Sequence, residues 1–161
     1  MEATATKARG TATPAVGVAP SKEGRARKES GMRSGMSRGE RNAQLGKRGE
    51  DAAARFLVRH GYEIAARNWT CAAGEADIIA RDGSDVVFVE VKTRSSPEKG
   101  APAEAVDARK RSRYGRIATL YLERIGLSEA SVRFDIVSVV PLTPDRAKVR
   151  HYINAFSVEQ G

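Results

Sequence analysis

The sequence holds one cysteine, Cys71, and two histidines, His60 and His151, in 161 residues. A lone cysteine excludes a disulfide within the chain and argues against a cysteine-based zinc site. The histidines share no ligand spacing, and both read as structural. No apolar run approaches the ~20 residues of a membrane helix. The first residues carry Lys and Arg without an apolar h-region, so no secretory signal is expected. The expectation is a cytoplasmic protein with no membrane partner.

Positive charge is present instead. The formal net charge is +8. Residues 1–41 hold nine Lys/Arg against four Asp/Glu, and the remainder 19 against 16. The excess permits a polyanionic partner. The first segment is rich in Ala, Thr, Gly, Ser, Pro and Arg, with Val16 and Val18 as its only branched aliphatics. It cannot bury enough apolar area to offset its ordering entropy. The predicted organisation is a disordered basic arm, 1–41, and one domain, 42–161. The arm reads either as a nucleic-acid-binding extension or as a tail with no specific role, even one upstream of a start at Met32 or Met36.

The domain opens with an amphipathic helix. Leu45, Gly49, Ala52, Ala53 and Phe56 share a face, Leu57 flanks it, and Gly61 is a stop signal. Glu50 lies beside Leu57 at the edge of this face, and Asp51 points away. Strands are predicted at 62–69, 75–81 and 86–93, the last two joined by a hairpin at Asp82–Asp85. A second helix is expected over 101–126, with Pro102 near its start and Gly126 at its end. Strands at 131–140 and 151–156 follow.

The hairpin brings chemistry together. With Gly83 and Ser84 as its two-residue loop, Asp77 opposes Glu90 and Glu75 opposes Lys92. Opposed residues point to one face, with Cβ atoms roughly 5 Å apart. Asp77, Glu90 and Lys92 would share one patch at the end of a strand whose other face, Val87, Val89 and Val91 with Ala76, Ile78 and Ala80, is apolar. Two close carboxylates repel unless a cation lies between them. Mg²⁺ commonly takes one or two protein carboxylates plus waters and phosphate oxygens. A lysine beside them can hold a phosphate or help to activate water. The plainer alternative is a cross-strand salt-bridge cluster on a half-exposed sheet.

These residues resemble the D…(D/E)xK signature of restriction-endonuclease-like nucleases: Asp77, then Glu90-Val91-Lys92. The wider text is similar to the YraN family of uncharacterised, endonuclease-like bacterial proteins, themselves similar to archaeal Holliday-junction resolvases. The likeness rests on "GKRGEDAAARFLVRHGY", "RNW…GEADIIARDG", "VVFVEVKTRS", the spacing of Val106 to Lys110, "VRFDIV" and "HYINAF", and covers about residues 42–157. The family more often has Ile or Val where Ala76 stands, a core position.

The resemblance implies an α/β fold with an αβββαβ core, a mixed central sheet flanked by helices. It implies Mg²⁺ or Mn²⁺ held by Asp77 and Glu90, Lys92 as the catalytic lysine, and Glu50 as a further acidic member of the site. The expected activity is hydrolysis of phosphodiesters in nucleic acid, DNA before RNA, with structure-specific cleavage of branched DNA favoured because no sequence-reading motif is visible. A homodimer is suggested only by analogy with junction resolvases. The rival reading is a non-catalytic nucleic-acid-binding or scaffold protein with the same fold.

Arg94, on the parity of Lys92, and Lys110, Arg109 and Arg113 on the second helix are candidate phosphate contacts. A solvated basic face, and for Lys110 a snorkelling stem, are the alternatives. Asp135 reads as one half of a structural salt bridge, with Arg133 or Arg94. Glu75 reads as a helper to the metal or a partner of Lys92. Trp69 and Tyr62 read as core.

Overall fold

The computed structural model describes residues 35–95 and 106–158. Nearly all of the expected arm, and Pro102 with it, lie outside the described residues. The elements are α1 (Arg38–Arg59), β1 (Glu63–Cys71), β2 (Gly74–Asp82), β3 (Asp85–Thr93), α2 (Ala108–Ile125), β4 (Val132–Pro141) and β5 (Ala147–Tyr152). This is the αβββαβ order implied by the resemblance, with β5 added at the edge.

Three boundaries differ from expectation by more than two residues. Helix α1 starts at Arg38, four residues before the predicted domain boundary. Ser37 and Glu40 form a capping box, each side chain bonded to the other's backbone N–H, a signal legible in "SRGE". Helix α2 starts at Ala108, because Asp107 caps it by accepting from Lys110 N at 2.8 Å. Val106 therefore lies outside the helix, though it is buried. The last strand is Ala147–Tyr152, not 151–156. It ends before Asn154, whose φ is +50°.

The five strands lie in sequence order in one sheet. Neighbours run antiparallel except β3 and β4, which are parallel. Parallel neighbours need a crossover, and α2 lies on the connection between them. The hairpin register is as predicted: Ile78 opposes Val89, Ala80 opposes Val87 and Asp82 opposes Asp85. Gly83 alone in the loop has positive φ, at +59°, the arrangement of a type II′ turn.

Each face of the sheet carries one helix. Ala53 and Leu57 of α1 pack on Ile78, Val87, Val89 and Val137. Leu57 is fully buried and Phe56 only partly, so the buried stripe is centred one residue from where the periodicity put it. On the other face, Tyr114, Ile117 and Tyr121 of α2 pack on Ile79, Phe88, Phe134 and Ile136. Among the described residues, no helix is long and apolar enough to cross a membrane.

Helix α1 meets β3 most closely at Gly49. A Cβ there would lie 1.8 Å from Thr93 Oγ1 and 2.9 Å from Thr93 Cβ. The 2.9 Å approach to Thr93 Cβ does not change with that side chain's rotamer, so the backbone of the helix or the strand would have to move. Gly49→Ala should therefore destabilise the fold by about 1–3 kcal/mol, as overpacking does. Gly46→Ala meets nothing within 4 Å and should be neutral or stabilising by up to ~1 kcal/mol. Thermal unfolding of the two variants checks the contrast.

Candidate active site

The contact at Gly49 sets the next residue, Glu50, over the ends of the strands. There the β2–β3 ladder stops at Ile78 and Val89. One step on, Asp77 Oδ2 accepts from the Val91 N–H at 2.8 Å, so a side chain replaces the next main-chain bond. On its other edge, β2 pairs with β1 at Arg67–Ile78 and at Trp69–Ala76. Asn68 between them is left-handed, with φ +48°. The alternation of β2 breaks here. Ile78 packs on the α1 side, but Ala76 packs with Ile79 and Tyr114 on the α2 side. Ala76 is core, as expected, but not on the expected face.

Glu90 projects toward α2 from the end of β3 and is almost buried, at 9% exposure. Lys92 Nζ lies 2.9 Å from Glu90 Oε1. Lys110 Nζ contacts the same oxygen, and Tyr114 OH donates to Oε2 at 2.5 Å. Glu50 Oε2 accepts from Asn68 Nδ2 at 2.9 Å, beside a hollow of about 600 Å³ also lined by Gly46 and Lys47. Asp51, on the same hollow, is paired with Arg67 at 2.7 Å.

The carboxylates are tuned apart. Burial pushes the Asp77 carboxyl up to about 6; the Val91 N–H opposes this, and the charges of Glu90 and Glu50 add to it. Burial also raises Glu90, but the hydrogen bonds from Lys110, Tyr114 and Lys92 outweigh it and hold that carboxyl below its ordinary value. Burial lowers Lys92, but Glu90 more than restores it, so its ammonium is held above the usual value. For Lys110, burial and the neighbouring Lys92 prevail over Glu90, and its value is lowered. Tyr114 is raised, first by burial and then by Glu90, so its hydroxyl stays a donor.

Among the described residues, no three His, Cys, Asp or Glu side chains gather closely enough to form a ready-made metal cage. Two of these residues could hold a cation more sparsely, in place of the Lys92, Lys110 and Tyr114 contacts that now occupy the Glu90 oxygens. Asp77 and Glu90 supply hard oxygens, and Asp77 is an acid that a nearby cation would relieve. Two carboxylates completed by water is how Mg²⁺ is commonly bound.

A model of the family described as Uncharacterised protein family UPF0102 matches residues 49–139. A UPF0102 protein of Geobacter sulfurreducens is 44% identical over 117 residues, 73% of this chain and 91% of the relative. One from Symbiobacterium thermophilum is 49% identical over 113 residues, 70% of this chain and 96% of the relative. One from Nocardia farcinica is 49% identical over 111 residues, 69% and 87%. The chain belongs to the UPF0102 family. This is the YraN family of the sequence resemblance.

In this UPF0102 chain, Asp77, Glu90, Lys92 and Lys110 come together as one cluster, with Glu50 acting on Asp77 through its charge. Lys92 pairs with Glu90, not with Glu75, which is exposed opposite Thr70. Arg94 follows β3 and is half-buried, its N–H bonded to Val139 O at 2.9 Å. Arg109 is exposed at the start of α2. Arg113 is exposed too, its Cδ close over Gly74 at the β1–β2 turn. Sequence reasoning missed Tyr114. It lies four residues after Lys110, so a helix that aims one at Glu90 aims both.

Proposed function

We propose that this UPF0102 protein is a divalent-metal-dependent nuclease that hydrolyses phosphodiester bonds in nucleic acid, with branched DNA as the favoured substrate class. The observation that carries this reading is Asp77. Its carboxyl is pushed up to about 6 by burial and by Glu90 and Glu50, one step from two lysines. A structural salt-bridge cluster has no use for an acid held against two others. Asp77 and Glu90 would hold Mg²⁺ or Mn²⁺. Such an ion, when bound, lowers the pKa of a water and offsets charge growing on a phosphoryl oxygen.

The chain's own residues supply the rest. Lys92 and Lys110 share one oxygen of Glu90, so either ammonium can turn to a phosphate while the other keeps Glu90 neutralised. Tyr114 fixes the second oxygen and orients the carboxylate. Fixed charges aimed at a reacting phosphate need no reorganisation during the reaction.

The same saturation of Glu90 favours a second reading, a non-catalytic nucleic-acid-binding protein in which the lysines have replaced the metal. Incubating flapped, four-way and linear duplex DNA with Mg²⁺ or Mn²⁺ separates the two. The nuclease reading expects cleavage that needs the metal and is lost in Asp77→Ala and Glu90→Ala. Cleavage indifferent to both substitutions, or binding without cleavage under either metal, would sink it.

A further inference from the structure

A hollow of about 860 Å³ lies between α1 and the β4–β5 hairpin. Arg48 fastens its two walls, donating to Pro144 O at 3.0 Å and Thr143 O at 3.4 Å. Its floor is apolar: Ala52, Phe56, Val139 and Val149. Three more arginines, Arg55, Arg59 and Arg146, line it. None of the three has a side-chain partner among the described residues. Of the two acids on the lining, Asp51 is already neutralised by Arg67 at 2.7 Å. Only Asp145 is left against three unpaired cations.

Arg55 and Arg59 stand four apart on one helix, a spacing at which like charges repel. An anion between the walls would relieve that repulsion. Phe56 adds a ring at the floor, stacked on His60 at a centroid distance of 4.0 Å. Unpaired arginines over aromatic and aliphatic surface are the means by which proteins hold single-stranded nucleic acid, phosphates on the cations and bases on the rings. The hollow has the size of a small-ligand pocket, enough for a few nucleotides and not for a duplex.

Its position matters as much as its charge. Val139 on its floor pairs with Thr93, the residue after Lys92. Gly49, next to Arg48, packs on that same threonine. The hollow and the Asp77–Glu90 cluster thus meet at one end of the sheet, on either side of it. We infer that this groove holds the phosphate backbone of a single-stranded flank running over the sheet end from the Asp77–Glu90 site. The inference takes its ligand class from the nuclease reading but requires no cleavage.

The test is fluorescence anisotropy of a labelled oligothymidine about 20 nucleotides long, with the full chain in EDTA and with salt varied between about 50 and 200 mM. The triple variant Arg55→Ala/Arg59→Ala/Arg146→Ala should bind about 10- to 100-fold more weakly. Its plot of log affinity against log salt should be shallower by about 2, at roughly 0.7 per lost phosphate contact on a single strand. The Arg→Lys triple should keep most of the slope, which guards against misfolding. A control of equal charge, Arg38→Ala/Arg41→Ala/Arg124→Ala, should change both quantities less.

Unchanged binding in the groove triple, an equal loss in the control, or binding to phosphatidylglycerol vesicles in place of the oligonucleotide would each overturn the groove. Groove-dependent binding without cleavage under Mg²⁺ would refute the nuclease reading and leave the groove standing. Cleavage by a groove triple that binds like the parent would do the reverse.

Discussion

Asp77→Asn should make the metal-free protein more stable at neutral pH and, under the nuclease reading proposed above, cripple metal-dependent cleavage. The Asp77 carboxyl is pushed up from 3.8 to about 6, so the native state holds this proton to a higher pH than the unfolded chain does. Below the unfolded value the group is neutral in both states and carries no penalty. As pH rises from there through about 6, the unfolded chain gives up the proton more readily, and native stability falls. Above 6 the full cost of a buried carboxylate beside Glu90 and Glu50 is present. Asparagine keeps an acceptor for the Val91 N–H and removes the charge. In EDTA the variant should gain on the order of 1–2 kcal/mol at pH 7–8, allowing for partial solvent exposure, and nothing below about pH 4.

If Asp77 and Glu90 hold Mg²⁺ as proposed above, the metal should invert that order. A cation that binds the native parent at a hundredfold excess over its dissociation constant adds about 2.7 kcal/mol. The asparagine variant, lacking the proposed anionic ligand, should gain little, and cleavage should fall at least by the ~10–100-fold that loss of an outer-shell partner costs. Under the same reading, cleavage by the parent at limiting metal should rise as pH rises through about 6, because Asp77 must be ionised to hold the ion. Thermal shift in EDTA and in Mg²⁺, at pH 5 and pH 8, reads all but the cleavage without turnover. A variant no more stable than the parent in EDTA at pH 8 would mean that Asp77 is not strained by its neighbours.

The parts of this site that could be read from the sequence were those governed by the period of a strand and the length of a turn. The two-residue loop at Gly83 fixed which β2 residues oppose which β3 residues, and so brought Asp77 to Glu90. The break at Asp77 was not legible. A ladder bond replaced by a side chain leaves no trace in the apolar pattern, and Asn68 shows its left-handed backbone only once its neighbours are placed. That is why Ala76 was assigned to the wrong face. Lys110 was ambiguous because its partner lies on another element, and Tyr114 went unnoticed because a tyrosine in an apolar stripe normally reads as core. The final strand was misplaced because its burial is patchy and "HYINAF" is more apolar than "AKVRHY". The partner of His151 was lost with it.

Restoring β5 to Ala147–Tyr152 places that histidine in the cluster whose disruption should cost the fold most. Asp135 on β4 is fully buried. It accepts from Arg133 Nε at 2.9 Å, from Arg133 Nη2 at 3.1 Å and from Asn154 N at 2.9 Å, and lies 2.8 Å from His151 Nε2. Arg133 continues to Asp82 Oδ2 at 2.9 Å and Tyr62 OH at 2.8 Å. One carboxylate thus links β4, β5 and the turn after it, and through Arg133 the β2–β3 loop and the start of β1. Burial raises the Asp135 carboxyl, but His151, Arg133 and Asn154 outweigh it and hold it below its ordinary value. Asp135→Ala should destabilise by about 3–5 kcal/mol, as breaking a buried pair from one side does. Arg133→Met should cost a similar amount by leaving the carboxylate undercompensated. The double variant should cost less than the sum, since each change already removes the shared bond. It should not return to parental stability, because Asn154 N and His151 have also lost their acceptor. Since the folded value is depressed, this stabilisation is present above the unfolded carboxyl value and fades as pH falls through the folded one. Urea midpoints should therefore separate parent and Asp135→Ala widely at about pH 7, and the gap should narrow as pH falls through the depressed folded value. Equal midpoints at pH 7 would show that the cluster does not hold the sheet together.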